Sequence, residues 1–108
     1  FIGSPRMNLL TGAVAERHDA STLGIRPEHM RVRHGRVEAD GSGEAWVGTV
    51  VQAEHLGSDT FVYVDIPGIG AVNARCTGDL RVAPDDTVTL LPDAAYLHRF
   101  DVNQQAIR

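Results

Sequence analysis

Glycine and proline punctuate this chain about every ten residues, and the stretches between them are rich in β-branched residues. That spacing leaves no room for a long helix and predicts short strands joined by tight turns. The pattern is sharpest in the middle. EAWVGTVVQAE, 44–54, follows the turn-like DGSG of 40–43 and puts Trp46 and Val50 on one face and Val47, Val51 and Ala53 on the other. Gly48 inside it predicts a bulge or a barrel corner. HLGSD, 55–59, reads as a loop. TFVYVDI, 60–66, is the strongest strand, with Phe61 and Tyr63 opposing Val62, Val64 and Ile66. PGIG, 67–70, is a tight turn, and AVNARC, 71–76, returns with Val72, Ala74 and Cys76 on one face. These segments predict a three-stranded meander across 45–76.

Further strands flank it. In LGIRPEH, 23–29, Pro27 fixes its own φ and pushes Arg26 towards an extended conformation, so a strand over Leu23–Arg26 should turn at Pro27–Glu28. Arg26 and Glu28 would share a side if the extension continued. Met30–Val37 alternates, with Met30 and Val32 facing one way and arginines the other. TVTLL, 87–91, ends at Pro92, and AYLHRF, 95–100, sets Tyr96, His98 and Phe100 against Leu97 and Arg99. The sum is roughly five to seven strands, which predicts an all-β chain: a small OB-type Greek-key barrel or an open curved antiparallel sheet.

With 108 residues the chain suits one domain, and folding at that size buries roughly two thirds of the unfolded surface. A composition of 43% hydrophobic and 22% charged residues excludes a disordered polymer. The net charge of −4 argues against nucleic-acid binding, which needs a basic stripe to displace counterions. Arg26, Arg31, Arg33 and Arg36 do cluster, and Phe61 and Tyr63 could stack on bases, but the acidic balance opposes that reading. All ten basic residues are arginine. Without a lysine there is no P-loop and no Schiff-base chemistry in this chain. Cys76 is alone, so it forms no internal disulfide and reads as a small apolar residue in a reduced, cytosolic setting. No apolar run is long enough to span a membrane, and no signal peptide is evident.

Other candidate chemistry is sparse. His18, His29, His34, His55 and His98 form no metal-ligand spacing, so no metal site is expected. Ser58 beside Asp59 reads as a turn, Asp85–Asp86 as a solvated pair, and Gly68-Ile69-Gly70 as a hairpin, because no helix follows it. Arg31, Arg33 and Arg36 could grip an anion, although an exposed strand face is the plainer account. A small β module with no catalytic constellation is expected to bind something.

Three stretches, in order, carry a resemblance. FIGSPRMN followed by LGIRPEH, then VVQAEHLGSDTFVYVDI, then TVTLLPDAAYLHRFD resemble the C-terminal region of the ATP-binding subunit of sugar-type ABC importers, the maltose, multiple-sugar, trehalose and glycerol-3-phosphate group. That region is a regulatory domain of the TOBE (transport-associated OB) type. The resemblance covers nearly the whole chain. It implies that residues 1–8 are the tail of a connection from an absent nucleotide-binding domain and that 9–108 form the TOBE domain. It further implies a non-catalytic regulatory and dimerisation role in sugar uptake, with ATP and Mg bound in the absent domain and no cofactor here. The implied partners are a second copy of the subunit, the permease subunits reached through the absent domain, and a regulatory protein. The implied location is the cytoplasmic face of the membrane. Related TOBE domains bind small oxyanions, so a stand-alone oxyanion-binding module is the alternative, with Arg31 and Arg33 as its ligands.

Residue by residue, Gly24, Ile25, Arg26, Pro27, Glu28 and His29 match the family's Gly-Ile-Arg-Pro-Glu-His, Glu54, Leu56 and Gly57 its glutamate-leucine-glycine turn, and Phe100 and Asp101 its closing pair. The resemblance gives Arg26 and Glu28 turn-fixing and interface roles, with a salt bridge inside the domain as the alternative, and no catalytic role. One departure stands out. TGAVAERHDAST, 11–22, is shorter than the family's corresponding stretch, so strands are expected to be missing or a piece omitted, leaving an open sheet edge that would find a partner.

Overall fold

The computed structural model describes residues 7–38, 44–77, 81–103 and 105–107. The expected turn at 40–43 and residues 1–6 lie outside them. The described chain is almost entirely β. In order it comprises β1 (Asn8–Leu10), the one-turn helix α1 (Ala13–Glu16), β2 (Thr22–Ile25), a 3-10 turn at Pro27–His29, β3 (Met30–His34), β4 (Trp46–Leu56), β5 (Asp59–Ile66), β6 (Gly70–Thr77), β7 (Thr87–Pro92), a 3-10 turn at Ala94–Tyr96, β8 (His98–Phe100) and β9 (Ala106–Ile107). β1 thus takes in Asn8.

The strands form two antiparallel sheets. One has four strands in the order β1-β2-β8-β9, the other five in the order β3-β7-β4-β5-β6. The expected meander is the heart of the second. β4 pairs with β5 and β5 with β6, with Val62 opposite Ala74 and Val64 opposite Val72. Its edge strands β3 and β6 curl towards each other, yet no ladder joins them among the described residues. The result is a small OB-type barrel left open along one seam.

Several expectations shift at the level of turns. The 55–59 loop is only a two-residue turn, Gly57–Ser58, with Gly57 at φ +67°, so β4 and β5 run on through His55 and Asp59. Glycine at the first position of a two-residue hairpin supplies the positive φ that matches strand twist. At the next hairpin Pro67 and Gly68 (φ +83°) form a tight turn, closed by a bond from the Ile69 N–H to the Ile66 carbonyl. The bulge falls at Val51, not at Gly48: the β4–β5 register shifts between Val50 and Gln52. That extra residue leaves Val51 59% exposed and turns Ala53 onto the core side with Trp46 and Val50, where strict alternation had separated them. Gly48 marks a close approach instead. A Cβ there would sit 2.5 Å from the Asp65 carbonyl oxygen.

β3 stops at His34 rather than Val37, because Gly35 takes φ +83°. The buried Thr89 hydroxyl then satisfies the departing chain, donating to the Gly35 carbonyl and accepting from the Val37 N–H. The stretch 95–100 is a strand only from His98, since Asp93 caps a 3-10 turn over Ala94–Tyr96 through the Ala95 N–H. β7 arrives late in the chain but inserts between β3 and β4, and Val88, Thr89 and Leu90 are fully buried there. One core serves both sheets: Leu10, Val14, Leu23 and Ile25 from the first meet Trp46, Val50, Val62, Val64, Val72, Val88 and Leu90 from the second.

Candidate functional site

The LGIRPEH stretch and the C-terminal stretch lie against each other. Gly24 pairs with His98 and Thr22 with Phe100 across β2 and β8. Gly24 is closely packed: a Cβ there would meet Met7 Sδ at 2.5 Å and the Phe100 ring at 3.0 Å. Arg26 is extended, as expected from Pro27, but the extension ends there: the His29 N–H donates to the Arg26 carbonyl and closes a 3-10 turn. Arg26 and Glu28 therefore do not continue along one strand face, and neither has an ion-pair partner among the described residues. Pro27 is buried and Glu28 exposed. The His29 ring stacks on Tyr96 at 3.8 Å and 17°, and its carbonyl accepts from the Asp93 N–H. Asp101 closes the β8–β9 turn: its Oδ1 accepts from the Asn103 and Gln105 N–H groups.

Glu54 and Gly57 sit apart from this cluster, on the β4–β5 hairpin of the other sheet, where Leu56 pairs with Asp59. The Glu54 carboxylate beside it holds the Tyr63 phenol above its usual pKa. Sequence spacing placed the three motifs in order, and the structure joins the first and third while leaving the second in the other sheet.

The open seam between β3 and β6 carries three of the chain's ten arginines. A groove of about 540 Å³ there is lined by Glu28, β3 residues 30–33 and Arg75, Cys76 and Thr77 of β6. Arg31 and Arg33 project from the exposed face of β3 and meet no carboxylate within ion-pair distance among the described residues. Arg75 pairs with Asp59 at 3.0 Å. Partial burial pushes the Cys76 thiol above its usual pKa, so it stays protonated at neutral pH.

Two polar clusters escaped sequence reasoning, because their members lie far apart in the chain. Asn8 grips the edge of β6: its amide donates to the Asn73 and Ile25 carbonyls and accepts from the Asn73 N–H. Glu44 accepts from Arg17 at 2.5 Å and from Trp46 Nε1 at 3.3 Å, and contacts His18 Nε2. Partial burial pushes the Glu44 carboxyl up, but those hydrogen bonds and the Arg17 charge outweigh it and hold the group below the ordinary carboxylate range. Among the described residues no three histidine, cysteine or acidic side chains converge on a point that would hold a metal ion.

Comparison with known proteins gives this geometry its context. Residues 23–100, most of the chain, match the TOBE domain. The chain belongs to the TOBE domain family. The TOBE chain is 34% identical to the sn-glycerol-3-phosphate import ATP-binding protein UgpC of Chromohalobacter salexigens, over 94% of its own length and 32% of that protein's. It is 30% identical to the alpha-glucoside transport ATP-binding protein AglK of Rhizobium meliloti and to the maltose/maltodextrin import ATP-binding protein MalK of Vibrio cholerae, each over 100% of its length and 35% of theirs. It spans about a third of these relatives and matches their C-terminal region. The AglK alignment runs over 134 residues against the 108 of this TOBE chain, so the relative carries residues that are missing here. Among solved structures, the cytoplasmic molybdate-binding protein ModG superposes with a TM-score of 0.60 over 78% of this chain and 67% of its own, at 13% identity. At that identity the likeness is one of fold. No helix among the described residues is long and apolar enough to cross a membrane.

Proposed function

We propose that this TOBE domain is the non-catalytic regulatory and dimerisation domain of the ATP-binding subunit of a carbohydrate ABC importer. The observation that carries the reading is the match of nearly the whole chain to one third of UgpC, AglK and MalK, all named as ATP-binding proteins of import or transport systems. ATP and Mg would bind in another domain of the parent polypeptide, since this chain has no lysine to serve a P-loop. The domain would associate with a second copy of itself, reach the permease subunits through the ATPase domain, receive a regulatory protein, and lie on the cytoplasmic face of the membrane. In this reading Arg26, Glu28, Glu54 and Asp101 fix turns or supply interface charge and take no part in chemistry.

The test is the intact mass of the native polypeptide, followed by its ATPase activity and its oligomeric state by light scattering. A mass several times 11.7 kDa, ATP turnover, and a dimer that weakens when the TOBE domain is deleted are expected. A native mass near 11.7 kDa would sink the reading. A second reading, an oxyanion-binding module, is favoured only by Arg31 and Arg33 beside the seam, which have no carboxylate partner among the described residues, and by the fold shared with the molybdate-binding protein ModG. Calorimetry with molybdate, sulfate and phosphate decides it: saturable heat supports binding, and heats of dilution alone remove it.

A further inference from the structure

β3 and β6 are neighbours without a ladder. Their Cα atoms approach to within 8 Å. An intervening strand would set them two strand spacings apart, about 9.5 Å. Yet no backbone hydrogen bond joins them among the described residues. The bonds already made show which groups are left over. The His29 carbonyl accepts from the Asp93 N–H and the Gly35 N–H donates to the Thr87 carbonyl, both towards the β7 side. Backbone groups alternate sides along a strand, so Met30, Val32 and His34 aim theirs at the seam. On β6 the Asn73 N–H and carbonyl point away from β5, where Asn8 holds them. Arg75 and Thr77, two and four residues further on, aim theirs at the seam too. The four antiparallel pairings from β3 through β7, β4 and β5 to β6 leave β3 and β6 parallel. A short parallel ladder is therefore what the two edges lack.

The side chains put charge over this gap. Val32 and Cys76 pack inward on the core. Arg31 and Arg33 on one edge, and Arg75 and Thr77 on the other, alternate with them and line one groove on the outer side. Arg31 and Arg33 meet no carboxylate within ion-pair distance among the described residues. Arg75 gives one guanidinium nitrogen to Asp59 at 3.0 Å, and its other N–H groups remain donors. Glu28, ahead of β3, is the one carboxylate in the lining. In a chain of net charge −4 this is a local reversal of sign.

We propose that the seam is an anion clamp: a tetrahedral dianion, inorganic phosphate or a phosphate monoester, bridges Arg31 and Arg33 to Arg75 and Thr77 and draws β3 and β6 into the parallel ladder that closes the barrel. Guanidinium forks match phosphoryl oxygens two at a time. An ion gripped from both edges binds the closed seam better than the open one, and that difference is what shifts the population towards closure. Anion binding at these arginines is the second functional reading above; the clamp rests on it and adds the coupling to the strands.

The native polypeptide is titrated with inorganic phosphate, and with methyl phosphate as the ester, by calorimetry and by amide hydrogen exchange. Saturable heat is expected. At saturation the Val32 and Thr77 amides should exchange about tenfold more slowly, with amides of the β4–β5 ladder unchanged. The tighter binder of the two identifies free ion or ester, and either supports the clamp. Arg31→Gln combined with Arg33→Gln, and Arg75→Gln alone, should each weaken binding about tenfold or more and remove the added protection. Arg31 and Arg33 are exposed, so their variant should keep the wild-type circular dichroism spectrum. Asp59→Asn, which frees Arg75 from its partner, should tighten binding. Saturable heat without slower exchange at Val32 and Thr77 overturns the clamp and leaves the anion reading standing, whereas absence of heat from either anion overturns both. The clamp also falls if Arg75→Gln binds phosphate as tightly as the wild type, because the ion would then sit on β3 alone. It falls equally if sodium chloride at matched ionic strength slows the same amides as much, because the effect would be charge screening.

Discussion

The two sheets are built on different principles. In the five-stranded sheet, β4, β5 and β6 are 11, 8 and 8 residues long, joined by tight hairpins, and each ladder buries valines opposite valines or alanines. In the four-stranded sheet no strand exceeds four residues, and its members come from opposite ends of the chain. The first sheet can form from local contacts. The second has to wait for distant segments to meet, and it is pinned by side-chain bonds: Asn8 to Asn73, Arg99 to the His18 carbonyl, and Glu44 to Arg17 and His18. Local ladders give a rigid frame, whereas a sheet assembled from chain ends has the lower local stability and the greater capacity to open.

The largest effect expected from a substitution lies in the frame. Leu90→Ala, at a fully buried site in the interior strand β7, should cost about 2–5 kcal/mol and lower the denaturation midpoint of both sheets together. Separate transitions in the two sheets would break the picture of a shared core. Next, a methyl group at Gly48 meets the Asp65 backbone, whereas one at Gly24 first meets the movable tip of Met7. Gly48→Ala should therefore cost about 1–3 kcal/mol and Gly24→Ala less, by urea unfolding of the two variants. The reverse order would mean that the four-stranded sheet is the stiffer of the two.

Asn8→Ala strips two carbonyls and one N–H of their partner and should cost about 1–3 kcal/mol. Hydrogen exchange should report that loss in β1 and at the β6 edge, with β4 and β5 unchanged at low denaturant. Uniform acceleration across all strands would show that the smaller sheet is no separate unit. The smallest effect is that of acid. Glu44 is held below the ordinary carboxylate range, so its contribution is fully present above the unfolded glutamate pKa and is lost as pH falls through the folded value. α1 should loosen from the start of β4 in that window by NMR, and Glu44→Gln should abolish this pH dependence.

The frame was legible because its signals are local. TFVYVDI alternates, PGIG supplies a proline and a positive-φ glycine in sequence, and the three segments they join are adjacent in the chain. The family membership was legible for a related reason: its motifs are short, ordered and tied to turns. The bulge at Val51 was not, because apolar residues on both faces of β4 leave the register open until β5 fixes it. The 3-10 turn at Ala94–Tyr96 was missed because alternation in so short a run does not tell a strand from a turn whose tyrosine is held by His29.

The sequence by itself determined the β class, the meander, the turn at Pro27 and the absence of a P-loop lysine, all of which depend on residue type and near-neighbour geometry. Only the tertiary structure decided that β7 enters between β3 and β4, that two sheets share one core, and that Arg31, Arg33 and Arg75 come together along the seam between β3 and β6. Those features depend on which distant segments pack together. That choice is made by burial summed over the whole chain and is encoded in no single stretch of it.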